Sequence, residues 1–80
     1  MNTNSTVELD CFVDNFVHIA QGAILAGNVK IGESTIVGAG ATIITSINIC
    51  KNCIIRAGAV VVYDIALSGI YSGIPAKILK

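Results

Sequence analysis

From Val7 onward every sixth residue is a branched aliphatic: Val7, Val13, Ile19, Leu25, Ile31, Val37, Ile43, Ile49, Ile55 and Val61. Valine, isoleucine and leucine make up roughly a third of the chain, so ten hits at ten positions arise by chance about once in 10⁴, even with six phases allowed. An α-helix repeats every 3.6 residues and an amphipathic strand every 2, so neither produces this beat. A six-residue period belongs to a solenoid whose flat sides are each one hexapeptide long.

The remaining positions of the hexapeptide agree. Four residues after each aliphatic stand Cys11, Val17, Ala23, Val29, Thr35, Ala41, Ile47, Cys53, Ala59 and Ile65, all small or aliphatic, as a second inward row requires. Three residues after stand Asp10, Phe16, Gly22, Asn28, Ser34, Gly40, Ser46, Asn52, Gly58 and Asp64. All but Phe16 tolerate a left-handed backbone or bend the chain through local hydrogen bonds. Each hexapeptide is therefore a short strand, a turn and an inward anchor, and the chain is expected to be an all-β parallel β-helix.

Three hexapeptides per coil give about three coils over residues 7–66, close to the minimum for a stable solenoid. Residues 1–6 form a lead-in and residues 67–80 leave the period. There Ser68-Gly69 and Ser72-Gly73 mark turns and Pro75 interrupts pairing, so this tail is expected to cap the open end as a short strand or helical turn. The opposite end has no comparable cap, which calls for a preceding segment or self-association to cover it.

With 12% charged residues and a net charge of zero, the chain has no electrostatic footprint for nucleic acid. Turn residues interrupt every hexapeptide, so no apolar run is long enough to span a membrane. The start Met1-Asn2-Thr3-Asn4-Ser5-Thr6 has neither the basic nor the apolar region of a secretory signal, which makes cytoplasm the expected compartment. Three cysteines do not form a disulfide framework. The spacing Cys50-Lys51-Asn52-Cys53 admits zinc or redox chemistry. With no second pair, and with the two side chains expected to point in different directions, buried structural cysteine is the preferred reading. No metal site is expected.

Residues eighteen apart should stack in columns. Asn15, Glu33 and Lys51 form a polar corner, Leu9, Gly27, Thr45 and Tyr63 a mixed one, and Gln21, Ala39 and Ala57 a corner nearly free of side chains. That last corner either suits tight turning or leaves backbone N–H groups open to an extended ligand. The outward rows His18, Ile36, Ile54 and Ile24, Thr42, Val60 are more apolar than a monomer's faces should be, which suggests a cyclic homotrimer.

The run from Asp14 to Gly32, with Val37-Gly38-Ala39-Gly40-Ala41-Thr42 and Gly73-Ile74-Pro75-Ala76-Lys77, resembles the hexapeptide-repeat acyltransferases. Within them it resembles most the C-terminal domain of the sialic-acid O-acetyltransferase and bacillosamine N-acetyltransferase family. The resemblance implies a left-handed coil, against the usual crossover hand, and acetyl-CoA held as co-substrate in a groove between subunits of a trimer. It further implies a sugar or nucleotide-sugar acceptor acetylated on a hydroxyl or amine. Cofactor-binding roles fall on His18, Gly27, Ala39, Ala57 and Lys77. The family's general-base histidine lies in a stretch that here is Val7-Glu8-Leu9-Asp10-Cys11: Leu9 takes the base position and Asp10 that of the orienting carboxylate. Leucine accepts no proton, so either His18 substitutes or the domain is an impaired remnant that binds CoA or only assembles. The γ-class carbonic anhydrases share this architecture but need three histidines for zinc, and this chain has one.

Overall fold

Each hexapeptide becomes a two-residue strand followed by a corner. The computed structural model describes residues 5–79; residues 1–4 of the expected lead-in and Lys80 of the expected cap lie outside them. The strands are β1 (Thr6–Val7), β2 (Phe12–Val13), β3 (His18–Ile19), β4 (Ile24–Leu25), β5 (Lys30–Ile31), β6 (Ile36–Val37), β7 (Thr42–Ile43), β8 (Asn48–Ile49), β9 (Ile54–Ile55), β10 (Val60–Val61), β11 (Ile70–Ser72) and β12 (Lys77–Ile78). They stack as three parallel faces: β1-β4-β7-β10, β2-β5-β8, and β3-β6-β9-β11, with β12 added antiparallel to the last.

The register is the expected eighteen residues. Val7 lies on Leu25, Leu25 on Ile43 and Ile43 on Val61, while Ile19 lies on Val37 and Val37 on Ile55. Strand N–H groups donate to the coil above, as in Thr6 N to Ala23 O (2.8 Å) and Ile36 N to Cys53 O (2.9 Å). Both inward rows meet on the axis, where Leu25, Val37, Ile43, Ile55, Val61 and the smaller Ala23, Ala41 and Cys53 have no solvent exposure. Burial of each large aliphatic contributes about 1.5–3 kcal/mol. The outward rows are partly apolar, with Ile24, Ile36 and Ile54 each 40–43% exposed.

The corners turn through one left-handed residue each. Asp10, Phe16, Asn28, Ser34, Ser46 and Asn52 have φ between 58° and 63°, and Gly22, Gly40 and Gly58 between 70° and 76°. Phe16, the residue whose side chain least suits this conformation, adopts it nonetheless, in a turn tied to the coil above through Ser34 N donating to Asn15 O (3.1 Å).

Asp64 is the member of that row that does not. After Val61 the chain takes a shortcut, so Ile65 lies on Ile49 and Tyr71 on Ile55, offsets of sixteen rather than eighteen. The Asp64 carboxylate accepts from Asn48 N (2.9 Å), filling the place of the carbonyl that the shortcut removes from the ladder. The segment from residue 67 thus divides in two. Ile70–Ser72 completes a fourth coil, one more than the hexapeptide count, and Lys77–Ile78 caps it. Tyr71 and Ala76 are buried under this cap, and the Tyr63 hydroxyl donates to the Ala76 carbonyl. At the opposite end Val13, an inward-row residue, is 38% exposed.

One expectation is corrected. Cys50 and Cys53 do not point apart: their sulfurs lie 3.3 Å from each other. The bend at Lys51-Asn52, with Asn52 at φ 58°, folds the side chain at the start of the corner onto the inward side chain at its end. Cys53 is fully buried, and burial first, then the hydrogen bond and charge of Cys50, push its thiol up to about 12.

Two outcomes follow from this packing. Phe16→Gly should stabilise the fold by about 1 kcal/mol in urea denaturation, since it relieves left-handed strain at a side chain 82% exposed. A loss of stability would place the Phe16 ring in a contact that matters. The second outcome concerns pH. The folded chain holds the Cys53 proton that an unfolded thiol releases near pH 8.5, so this contribution is complete below that pH and lost as pH rises toward 12. The decline should approach about 1.4 kcal/mol per pH unit, with the buried Tyr71 phenol, also raised by burial, adding to it at the alkaline end. Cys53→Ala should flatten the first part of the decline.

Candidate functional site

The first corner, between the faces of β1 and β2, carries an open depression of about 600 Å³ lined by Glu8, Leu9, Asp10, Ala26, Gly27, Asn28 and Thr45. Here the ladder runs through the turns: Asn28 N donates to Leu9 O (3.1 Å) and Ser46 N to Gly27 O (3.0 Å). Asn28 Nδ2 reaches Ser46 Oγ at 3.3 Å, and Cys11 Sγ lies 3.1 Å from Ala26 O. Leu9 stands 83% exposed between the exposed carboxylates of Glu8 and Asp10. A Cβ at Gly27 would meet only Leu9 O at 3.7 Å, an ordinary contact, so packing does not demand glycine there.

The third corner, between the faces of β3 and β4, is built from backbone. Gly40 and Gly58 are there for their positive φ, since a Cβ on either would meet nothing within 4 Å. Their N–H groups are used within the ladder, Gly40 N to Gln21 O (3.0 Å) and Gly58 N to Ala39 O (2.9 Å). Among the described residues, the Ala39 and Ala57 amides donate to no carbonyl, each screened only by a methyl group, and in the terminal coil the Gln21 and Gly22 amides donate to none either. In the stacked coils it is thus the alanines, not Gly40 and Gly58, that present open donors. Gly38 has a different reason to be glycine. A Cβ there would come within 2.6 Å of Ala57 N and 2.8 Å of Ile55 O.

The expected site residues therefore fall into two groups. Leu9, Asp10 and Gly27 meet at the first corner. Ala39 and Ala57 form the third corner, His18 stands exposed on β3 in register with Ile36 and Ile54, and Lys77 lies on β12 opposite Ser72. Within one chain the face of β1, β4, β7 and β10 separates the two groups. Sequence reasoning overlooked Arg56, an exposed cation next to Ala57. Its signal was available: the same hexapeptide position is Ala20 and Gly38 in the two coils below. Among the described residues, no three His, Cys, Asp or Glu side chains gather as a metal would need, and no helix is long and apolar enough to cross a membrane.

No protein-family model matches the chain. Solved structures do. The acetyltransferase domain of PglB from Neisseria gonorrhoeae superposes with TM-score 0.95 and 44% identity over 98% of this chain, and 38% of that one. The same domain in complex with acetyl coenzyme A gives the same figures. A point mutant of perosamine N-acetyltransferase from Caulobacter crescentus, in complex with CoA and GDP-perosamine, superposes with TM-score 0.96 and 38% identity over 99% of this chain and 38% of that one. The chain belongs to the hexapeptide-repeat acyltransferases, with their left-handed β-helix. More narrowly, it is similar to the acetyltransferase domains of PglB and perosamine N-acetyltransferase, and it spans little more than a third of their length (38%).

Gly38→Ala tests the third corner. It should force the Ala57 backbone away and cost about 1–3 kcal/mol, the usual penalty of overpacking, measured as a lower urea midpoint. Gly27→Ala at the first corner should change stability by less than about 0.5 kcal/mol.

Proposed function

We propose that this chain is the acetyl-CoA-binding domain of a sugar acetyltransferase, acting on an amine or hydroxyl of a sugar or nucleotide sugar. The observation that carries this reading is the superposition of 98% of the chain, at 44% identity, on an acetyltransferase domain crystallised with acetyl coenzyme A. The complex of the Caulobacter enzyme with GDP-perosamine supports an amino sugar as the acceptor class.

The co-substrate would lie along the third corner. The Ala39 and Ala57 amides donate to it, small side chains let it approach the backbone, and Arg56 and Lys77 sit at the upper part of the same corner and face for phosphate groups. His18 lies lower on that face. Acetyl transfer also needs a group to take the acceptor proton, and the residues suited to surround it, Leu9, Asp10 and Gly27, lie at the other corner. Side-by-side packing in a cyclic homotrimer would bring the first corner of one protomer to the third corner of its neighbour, and would cover Ile24, Ile36 and Ile54. A trimer in the cytoplasm is accordingly part of the proposal.

A second reading has its own observation. Leu9 is exposed in the depression where the resemblance places a histidine, so Asp10 has no imidazole to orient. On this reading the chain binds CoA and assembles but transfers acetyl groups slowly or not at all.

Sedimentation equilibrium should report a species near three times the 8.3 kDa chain mass. A monomer at micromolar concentration would remove the inter-subunit groove. Calorimetry should detect CoA binding to the chain as it stands, and Ala57→Phe should abolish it by filling the corner. With an amino-sugar acceptor, Leu9→His should raise turnover by about 10²- to 10⁴-fold, the usual worth of a general base. No heat at millimolar CoA would reduce the likeness to architecture alone.

A further inference from the structure

The second corner of the third coil holds two thiols whose sulfur chemistry neither the packing nor the proposed transfer reaction uses. Cys53 has no solvent exposure, Cys50 is half-buried, and both are free. Their sulfurs are 3.3 Å apart, whereas a disulfide requires about 2.05 Å, so closure by about 1.3 Å would join them, a distance within reach of side-chain rotation.

The backbone around the pair is held from both sides. Below, Thr35 is the one fully buried polar residue among the described residues, and its hydroxyl donates to Cys50 O (3.0 Å) and accepts from Cys53 N (3.3 Å). Asn52 N donates to Glu33 O (2.9 Å). Above, Ser68 Oγ donates to Lys51 O (2.7 Å), and Cys50 N donates to Ile65 O (2.9 Å). Every residue from Cys50 to Cys53 is thus fixed to a neighbouring coil, and the two side chains meet without a change in the ladder. Such a pair loses little further conformational freedom on bonding, which favours an intramolecular disulfide over two mixed ones.

We propose that Cys50 and Cys53 form a reversible dithiol–disulfide site whose oxidant is a small-molecule disulfide of the glutathione class. Cys50, the accessible member, attacks as thiolate. The disulfide's S–S bond breaks, one glutathione leaves with the electron pair and is protonated, and Cys50 carries the other as a mixed disulfide. Cys53 then loses its proton to solvent and attacks Cys50 Sγ, expelling the second glutathione as thiolate. The chain gives up two electrons and two protons, and one glutathione disulfide becomes two thiols. Burial keeps Cys53 protonated between events, so it acts as the resolving group and not as the entry point.

The test uses the full chain incubated with glutathione disulfide, alkylated and mapped by peptide mass spectrometry. The wild type should fall from three alkylatable thiols to one, Cys11, with a Cys50–Cys53 linkage that dithiothreitol reverses. Cys53→Ala, which keeps the buried position apolar, should instead accumulate the glutathione adduct on Cys50. Cys50→Ala should leave Cys53 unmodified. Retention of three alkylatable thiols by the wild type would overturn the proposal. So would an adduct on Cys50 as abundant in the wild type as in Cys53→Ala, or a linkage through Cys11.

Discussion

A coil of three hexapeptides closes on itself only if the chain turns sharply three times, and each turn depends on one residue held near φ +60°. Where that residue is glycine, as at Gly22, Gly40 and Gly58, the conformation carries no Cβ penalty. Where it is Asp10, Asn28, Ser34, Ser46 or Asn52, a short polar side chain tolerates it. Phe16 shows the strength of the constraint, since the stacked ladder imposes the same φ on an aromatic residue. Once these turns are set, the first three coils have the same perimeter, the inward aliphatics fall on one axis, and their strands find acceptors in the coil above.

The chemistry of the corners follows from the same geometry. The ladder uses the N–H of the left-handed residue and not the amide before it, so the corners leave donors in columns along the solenoid except where a side chain accepts one, as the Asp14 carboxylate does from Asn15 N (2.7 Å). What differs is the covering. At the second corner Asn15, Glu33 and Lys51 surround that column with polar side chains, whereas at the third Ala39 and Ala57 leave it accessible. Gly38 completes the arrangement, because any side chain there would collide with the backbone that positions Ala57. In the function proposed above, acetyl-CoA would lie along this accessible column; the structurally similar Neisseria domain has been crystallised in complex with acetyl coenzyme A.

The fourth coil shows how far a repeat can be altered while the backbone stays satisfied. Two residues fewer between Val61 and the next inward anchor remove one ladder carbonyl, and Asp64 supplies a carboxylate oxygen to Asn48 N in its place. The shortened path brings Leu67 and Ser68 over the corner that holds Cys50 and Cys53. Tyr71 then fills the end of the axis with a ring large enough to close it, its hydroxyl donating to Leu67 O at 2.6 Å.

Much of this was legible in the residues themselves. The aliphatic beat from Val7 to Val61 determined the parallel coil, its eighteen-residue register and its core, because a period of six has one simple solution in which all ten side chains share an axis. The nearly bare corner at Ala39 and Ala57 was equally plain. Other features depended on contacts between distant parts of the chain. Ile65 and Tyr71 replaced the expected members of their columns because the end of the solenoid shortened its path, and no local pattern announces such a slip. The meeting of Cys50 and Cys53 came from the bend at Asn52, locked by Thr35 below and Ser68 above. The division of the candidate site between two corners was already given by the eighteen-residue columns, whereas the depression at Leu9, Asp10 and Gly27 emerged only in three dimensions. The hexapeptide states which residues face inward, but the perimeter of a closed coil decides which outward residues stand side by side.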